Sequence, residues 1–224
     1  MSAIRPTVSV LVPTRDYKRP LEGLIKSFLD QCASGDELLI GIDTHNEPKE
    51  NTEKIVRTIK KFYSKNIKMK EYDTGHNCWG HCILNDLMTM ATGDYLVFID
   101  DDDRLYPDAL NTIRAVAIEC GFEMLRCRCG EVIPARRVPF LFKVKVWERP
   151  MVYWFDKNVK DGGVGGHNLV VPNIPGRIGK WDCRYEGDYD FVASTLAQWA
   201  GVEWRGEFIM EIRVTGDYST PPRR

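Results

Sequence analysis

The 224-residue sequence predicts an α/β domain built on a mostly parallel sheet flanked by helices. Three observations lead there. Short apolar runs alternate with segments of 10 to 15 residues whose apolar side chains recur at helical spacing, and such strand-helix-strand units need crossovers that place the strands parallel. The fullest run, residues 95–99 (YLVFI), is apolar throughout, as in a strand covered on both faces. Polar residues gather at the same end of these runs, at positions 13–16, 43–46 and 100–103, which is where parallel sheets bind ligands.

Residues 7–12 read as the first strand, stopped by Pro13. Pro20 opens a helix with Leu21, Leu24, Ile25, Phe28, Leu29 and Cys32 on one face. Residues 37–42 form a second strand ending at Asp43. Ile55, Val56, Ile59, Phe62 and Tyr63 mark the next helix, and residues 69–72 a short strand. Ile83, Leu87, Met90 and Ala91 stripe a further helix that Gly93 ends, and the strand at 95–99 then runs straight into four aspartates. Residues 107–119 are predicted helical and 123–131 extended. The glycines of 161–166 (DGGVGG) predict a flexible loop. A last helix covers 189–200 with Val192, Leu196 and Trp199 on one face, one or two strands close the fold over 202–214, and 219–224 is a frayed tail.

A net charge of -1 gives no overall attraction to nucleic acid or membrane. No run approaches the roughly 20 apolar residues that span a bilayer, and seven cysteines lack the even spacing of a secreted scaffold. A cytoplasmic protein with mostly buried thiols is expected.

Asp100, Asp101, Asp102 and Asp103 repel one another unless a cation or water disperses their charge. Hard carboxylate oxygens suit Mg²⁺ or Mn²⁺ better than zinc; the alternative is a solvated acidic turn capping the next helix. Cys78, His81, Cys82, Cys120, Cys127 and Cys129 invite a zinc reading, but their spacing is poor for a knuckle.

The order VSVLVPTRD, LLIGIDTHN and ATGDYLVFIDDDDRLYPDAL resembles family 2 of the GT-A glycosyltransferases over residues 7–110 and only loosely beyond. That resemblance implies the GT-A (Rossmann-like) fold with a small C-terminal acceptor-side region. It implies an enzyme using a nucleotide-diphosphate sugar, a UDP-sugar foremost. Residues 1–120 would be the donor-binding half and 121–224 the acceptor and base half of one domain. Asp43, Pro13, Thr14 and Arg15 would border the nucleotide, although Asp43 also suits a loop cap and Arg15 a surface cation. Asn85 matches a family asparagine with a donor contact, while Leu84 stands where arginine is usual. Asp100 and Asp101 would meet the donor. Asp102 and Asp100 would hold Mn²⁺ or Mg²⁺, with Asp103 and His167 as further candidates. Trp79 and His76 would line or brace the donor pocket. An inverting transfer also needs a carboxylate base. The resemblance implies Asp188, with Glu186 and Asp190 as alternates and Gly187 where glutamate is common; the bland alternative is first-turn carboxylates favoured by the helix dipole.

Between 124 and 160, basic residues exceed acidic ones and alternate with aromatics. That suits an anionic acceptor, a nucleic acid (including a hydroxymethylated base modified by a virus-encoded enzyme), a lipid-linked sugar or an anionic glycan. It equally suits a subdomain with solvated charges. Two rival classes are a nucleotidyltransferase, whose Gly-rich basic loop is missing after the first strand, and a sugar-nucleotide-binding protein that does not transfer.

Overall fold

The computed structural model describes residues 5–15, 21–62, 64–73, 79–119, 125–132, 150–152, 165–184, 186–199 and 203–212. Along the chain these form β1 (Val8–Thr14), α1 (Leu21–Leu29), β2 (Glu37–Asp43), α2 (Lys49–Lys61), β3 (Ile67–Tyr72), α3 (His81–Met90), β4 (Tyr95–Phe98), β5 (Arg104–Leu105), α4 (Ala109–Glu119), β6 (Leu125–Val132), β7 (Pro150–Val152), β8 (Leu169–Pro172), α5 (Gly187–Leu196) and β9 (Glu203–Ile212).

One sheet takes the order β3-β2-β1-β4-β8-β6-β9-β5, with β7 on β6. The first four are parallel, in register Val10↔Leu38 and Val10↔Val97. β8 continues antiparallel to β4, and β6 antiparallel to β8. β1 lies between β2 and β4, so the chain leaves it first to one side and later to the other. The carboxyl ends of β1 and β4 therefore flank the switch point where such sheets bind ligands.

Burial explains the unbroken apolar runs. Val8, Val10 and Val12 pack in one core with Leu24, Ile25 and Phe28 of α1 and Leu110 and Ile113 of α4. Leu11, Leu96 and Phe98 point the opposite way, into a second core with Leu84 and Leu87 of α3 and Phe191 of α5. Helices thus cover both faces, and alternate residues of each central strand are all inside.

Several boundaries differ from expectation. β1 continues through Pro13, which pairs with Gly41, and ends at Thr14. The two extra residues matter because they carry the Thr14 hydroxyl to the carboxyl end of the sheet. β8 and the two-residue β5 escaped the sequence pattern, being only four and two residues long and flanked by glycines or aspartates. α5 starts at Gly187 and stops at Leu196, leaving Trp199 beyond it, and 203–212 is a single strand. Of the predicted flexible loop, 161–164 lie outside the described residues, whereas Gly165 and Gly166 are buried.

Candidate active site

β4 delivers the aspartates to the switch point and a turn sorts them. The Asp103 N–H donates to the Asp100 carbonyl (3.2 Å), reversing the chain within four residues. Oxygens of Asp100, Asp102 and Asp103 converge to within 4.8 Å of one another. Asp101 is directed elsewhere. It is 3% exposed and accepts a 2.6 Å hydrogen bond from Thr14 Oγ1 at the end of β1. Four consecutive carboxylates therefore serve two purposes: three form an all-oxygen group suited to a hard divalent cation, and the fourth ties the turn to β1.

At the end of β2, Asp43 Oδ1 accepts the His45 N–H (3.0 Å) and so holds its own loop. Arg15 reaches across from β1. Its Nε donates to Glu47 Oε1 (2.8 Å), its Nη2 to the His45 carbonyl (3.3 Å), and its Nη1 lies 3.9 Å from Asp43 Oδ2. Pro13, Thr14, Arg15 and Asp43 thus border the same sheet end, with Arg15 bracing the β2 loop rather than standing as a lone surface cation.

The head of α5 meets the end of β4 at a cleft. The cleft is lined by Asp100 and Phe98 on the β4 side and by Gly166, His167, Trp181 and Asp188 on the other. Asp188 is half-exposed, and its Oδ1 accepts a 3.0 Å hydrogen bond from Trp181 Nε1. Trp181 is 2% exposed, stacked on Phe191 (centroids 3.4 Å apart) and edge-on to Phe98. The alternates are placed differently. Both oxygens of Asp190 accept from Arg184, at 2.6 Å each, and Glu186 occupies the cap position before α5 without a side-chain capping bond.

Asn85, expected at the donor, bonds within the protein through its side chain. Its Nδ2 donates to the Trp181 carbonyl (2.8 Å) and its Oδ1 accepts the Trp181 N–H (3.0 Å), so its amide grips the main chain of the residue that holds Asp188. One residue into α3, Cys82 forms a disulfide with Cys183. That corrects the expectation of buried thiols at these two positions and removes Cys82 from any zinc reading, since a disulfide sulfur is no thiolate ligand. His76 and Cys78 lie outside the described residues; Trp79 is exposed just ahead of α3.

Sequence reasoning missed Trp181 and the bracing use of His81. Neither carries a local pattern, because the bonds that tie them to the other side of the cleft's frame span about a hundred residues, as the separations of 96 for Asn85–Trp181 and 101 for His81–Asp182 show. Among the described residues no helix is long and apolar enough to cross a membrane.

Known proteins bear on this chain in three ways. Among curated sequences, a GalNAc(5)-diNAcBac-PP-undecaprenol beta-1,3-glucosyltransferase of Campylobacter jejuni is 29% identical over 119 residues, 51% of this chain and 35% of that protein. Among solved structures, S. aureus TarS 1–349 superposes with a TM-score of 0.69 at 15% identity over 92% of this chain and 60% of that one. Its complex with UDP-GlcNAc gives 0.66 at 15% identity over 92% and 58%. The chain spans little more than a third of the glucosyltransferase it matches, and the likeness to TarS is one of fold. The model of glycosyl transferase family 2 matches residues 9–125, more than half of the sequence, from the first strand through the aspartates to the start of β6, and the chain belongs to that family.

Proposed function

We propose that the domain transfers a sugar from a nucleotide-diphosphate sugar, a UDP-sugar foremost, to a hydroxyl acceptor, with inversion and with Mn²⁺ or Mg²⁺ bound. One observation carries the reading. Asp100 of the acidic turn and Asp188 at the head of α5 line a single cleft, which brings a carboxylate of the cation group and a carboxylate able to take a proton to one place, as a displacement requires at its leaving-group and attacking ends. Membership of family 2 and the UDP-GlcNAc complex of the structurally similar TarS support the donor class.

In this scheme residues 1–120 bind the donor. Asp43, Arg15 and Pro13 border the nucleotide, and the Thr14–Asp101 bond fixes the turn. Asp102 and Asp100, joined by Asp103, would hold the cation, and His167 stands in the same cleft as Asp100. When bound, the cation supplies charge neutralisation for the departing diphosphate. Asp188 accepts the acceptor's hydroxyl proton as the oxygen attacks the anomeric carbon; the bond from that carbon to the diphosphate breaks and its electron pair leaves with the diphosphate. Because Trp181 holds Oδ1, Oδ2 is the oxygen that receives the proton.

Residues 121–224 supply this base and the acceptor surface. The basic and aromatic positions at 133–149 and 153–160 lie outside the described residues, and their charge excess supports an anionic acceptor, nucleic acid or glycan.

UDP-sugars tested with and without Mn²⁺ should raise the melting temperature of the folded domain. Asp102→Asn should abolish the metal-dependent part, and Asp188→Asn should keep binding while lowering turnover by about 10²- to 10⁴-fold. Undiminished turnover in Asp188→Asn would sink the assignment of the base. Metal-dependent binding without any sugar release in the native chain would favour a binding protein instead.

A further inference from the structure

The base is mounted on a segment that α3 holds at three consecutive residues. Asn85 grips Trp181 through both main-chain groups, His81 Nδ1 is 2.9 Å from the Asp182 carbonyl, and Cys82 is bonded to Cys183. His81 is the one among these that also faces the base. A carbonyl only accepts, so Nδ1 carries the proton, and the ring is fixed with its other nitrogen, Nε2, 3.9 Å from Asp188 Oδ1. The imidazole is 5% exposed, and its plane lies 24° from the Trp181 indole that donates to the same oxygen.

A second observation concerns Gly187, the residue immediately before Asp188. A Cβ built there would fall 2.4 Å from His81 Nδ1 and 2.4 Å from the Asp182 carbonyl oxygen, on the two atoms of that hydrogen bond. Contacts so short are not tolerated, so a side chain at 187 and the His81–Asp182 bond exclude each other. The first turn of α5 is glycine at the point where the histidine enters.

We propose that His81 is the positioning residue of the base: by binding Asp182 in the space left by Gly187, it seats Trp181 and Asp188 so that Oδ1 is held and Oδ2 faces the cleft. This rests on the assignment of Asp188 as base. His81 is buried and does not line the cleft, so its loss acts on kcat through the geometry of another group; a misplacement of about 1 Å can cost on the order of 10²-fold.

The test uses three variants of the full chain, with UDP-glucose and UDP-GlcNAc hydrolysis under Mn²⁺ as the turnover probe. His81→Phe keeps the ring and removes the donor, and should lower kcat by about 10- to 100-fold with the KM for the UDP-sugar unchanged. Gly187→Ala should reproduce that loss. His81→Asn keeps an N–H near the position of Nδ1 and should recover most of the rate, a rescue that loss of packing alone would not show. Wild-type kcat in His81→Phe, or no difference between the Asn and Phe variants, overturns the proposal. The indole N–H resonance of Trp181, assigned by its absence in Trp181→Phe, reads the mount without turnover. It should shift in His81→Phe and Gly187→Ala and return toward the native position in His81→Asn. If Asp188→Asn leaves hydrolysis untouched, the base assignment has failed, and the resonance still decides whether His81 seats Trp181; an unmoved resonance in both variants refutes it.

Discussion

Removing Arg114 should cost more stability than removing both Arg114 and the charge it faces. Arg114 of α4 forms an ion pair with Asp36, whose side chain is 1% exposed against 4% for the arginine. Asp36 Oδ1 also accepts the Val8 N–H (2.9 Å) and Oδ2 the Ala33 N–H (2.7 Å), while Arg114 Nε donates to the Pro6 carbonyl (3.2 Å). Burial lowers the pKa of the guanidinium, and the Asp36 carboxylate acts to restore it. In Arg114→Leu a dehydrated carboxylate keeps two main-chain donors and loses its counter-charge, which costs about 3–5 kcal/mol. For a domain of this size each kcal/mol is worth about 2–4 °C, so the melting temperature should fall by roughly 10 °C. Asp36→Asn in the same background removes the stranded charge and keeps one acceptor. The double variant should therefore be more stable than Arg114→Leu alone, by about 1–2 kcal/mol in urea unfolding. If the double variant is less stable than the single one, the Asp36 charge is not what makes the loss of Arg114 expensive.

Glu37 gives the fold an acid-sensitive element. Burial raises its pKa, but Lys68 Nζ (2.6 Å), the Thr92 N–H (2.6 Å), the Ser9 hydroxyl (2.7 Å) and the Thr92 hydroxyl (2.9 Å) outweigh burial and hold it below the ordinary value. With the folded pKa depressed, this stabilisation is complete above the unfolded value of about 4.3 and disappears as pH falls through the folded value. Glu37→Gln should flatten the acid limb of a urea-midpoint profile, and an unchanged slope would exclude Glu37 as its source. The Cys82–Cys183 bridge closes a separation of 101 residues, for which the chain-entropy estimate is about 4.7 kcal/mol. Reductant, or Cys183→Ala, should lower the unfolding free energy by at least about 2 kcal/mol, and a midpoint indifferent to both would show that the bridge contributes nothing.

The parts of the fold legible in the sequence were those decided by two-sided burial. β1, β2 and β4 read as strands because Val10, Leu11, Ile40 and Val97 are all fully enclosed, whichever face they point to. Register and turns were not legible. Nothing in four identical aspartates distinguishes Asp101, bound to Thr14, from its neighbours; only the Asp100–Asp103 turn, and a β1 one residue past Pro13, separate them. The α5 side of the cleft was half legible. Asp188 could be singled out beside Asp190, but what distinguishes them is Arg184 bound to one and Trp181 to the other, and that sorting is set by folding. β8 was lost because four residues after a glycine loop carry too little periodicity, although it is the strand that joins the parallel half to the rest of the sheet.

Asn85 shows how the two halves depend on each other. A donor contact and a structural brace make different predictions for its removal. Asn85→Ala leaves the N–H and the carbonyl of Trp181 unpaired beside a side chain that is 2% exposed, and two such groups cost about 2–4 kcal/mol together. A brace should therefore lower stability and kcat while leaving the KM for a UDP-sugar unchanged. A donor contact would raise that KM with little change in melting temperature. Asn85→Asp sharpens the comparison, because it keeps the acceptor for the Trp181 N–H but sets a carboxylate oxygen against the Trp181 carbonyl, and should be at least as destabilising as alanine. α3 packs its Ile83 and Leu87 into the same core as Leu11 and Phe98, the residues of β1 and β4 that lead to Thr14 and the aspartates. Its other positions carry the segment that mounts Asp188. One helix therefore sets the separation between the two sides of the cleft, and a raised donor KM in Asn85→Ala at unchanged stability would show that this residue serves only one of them.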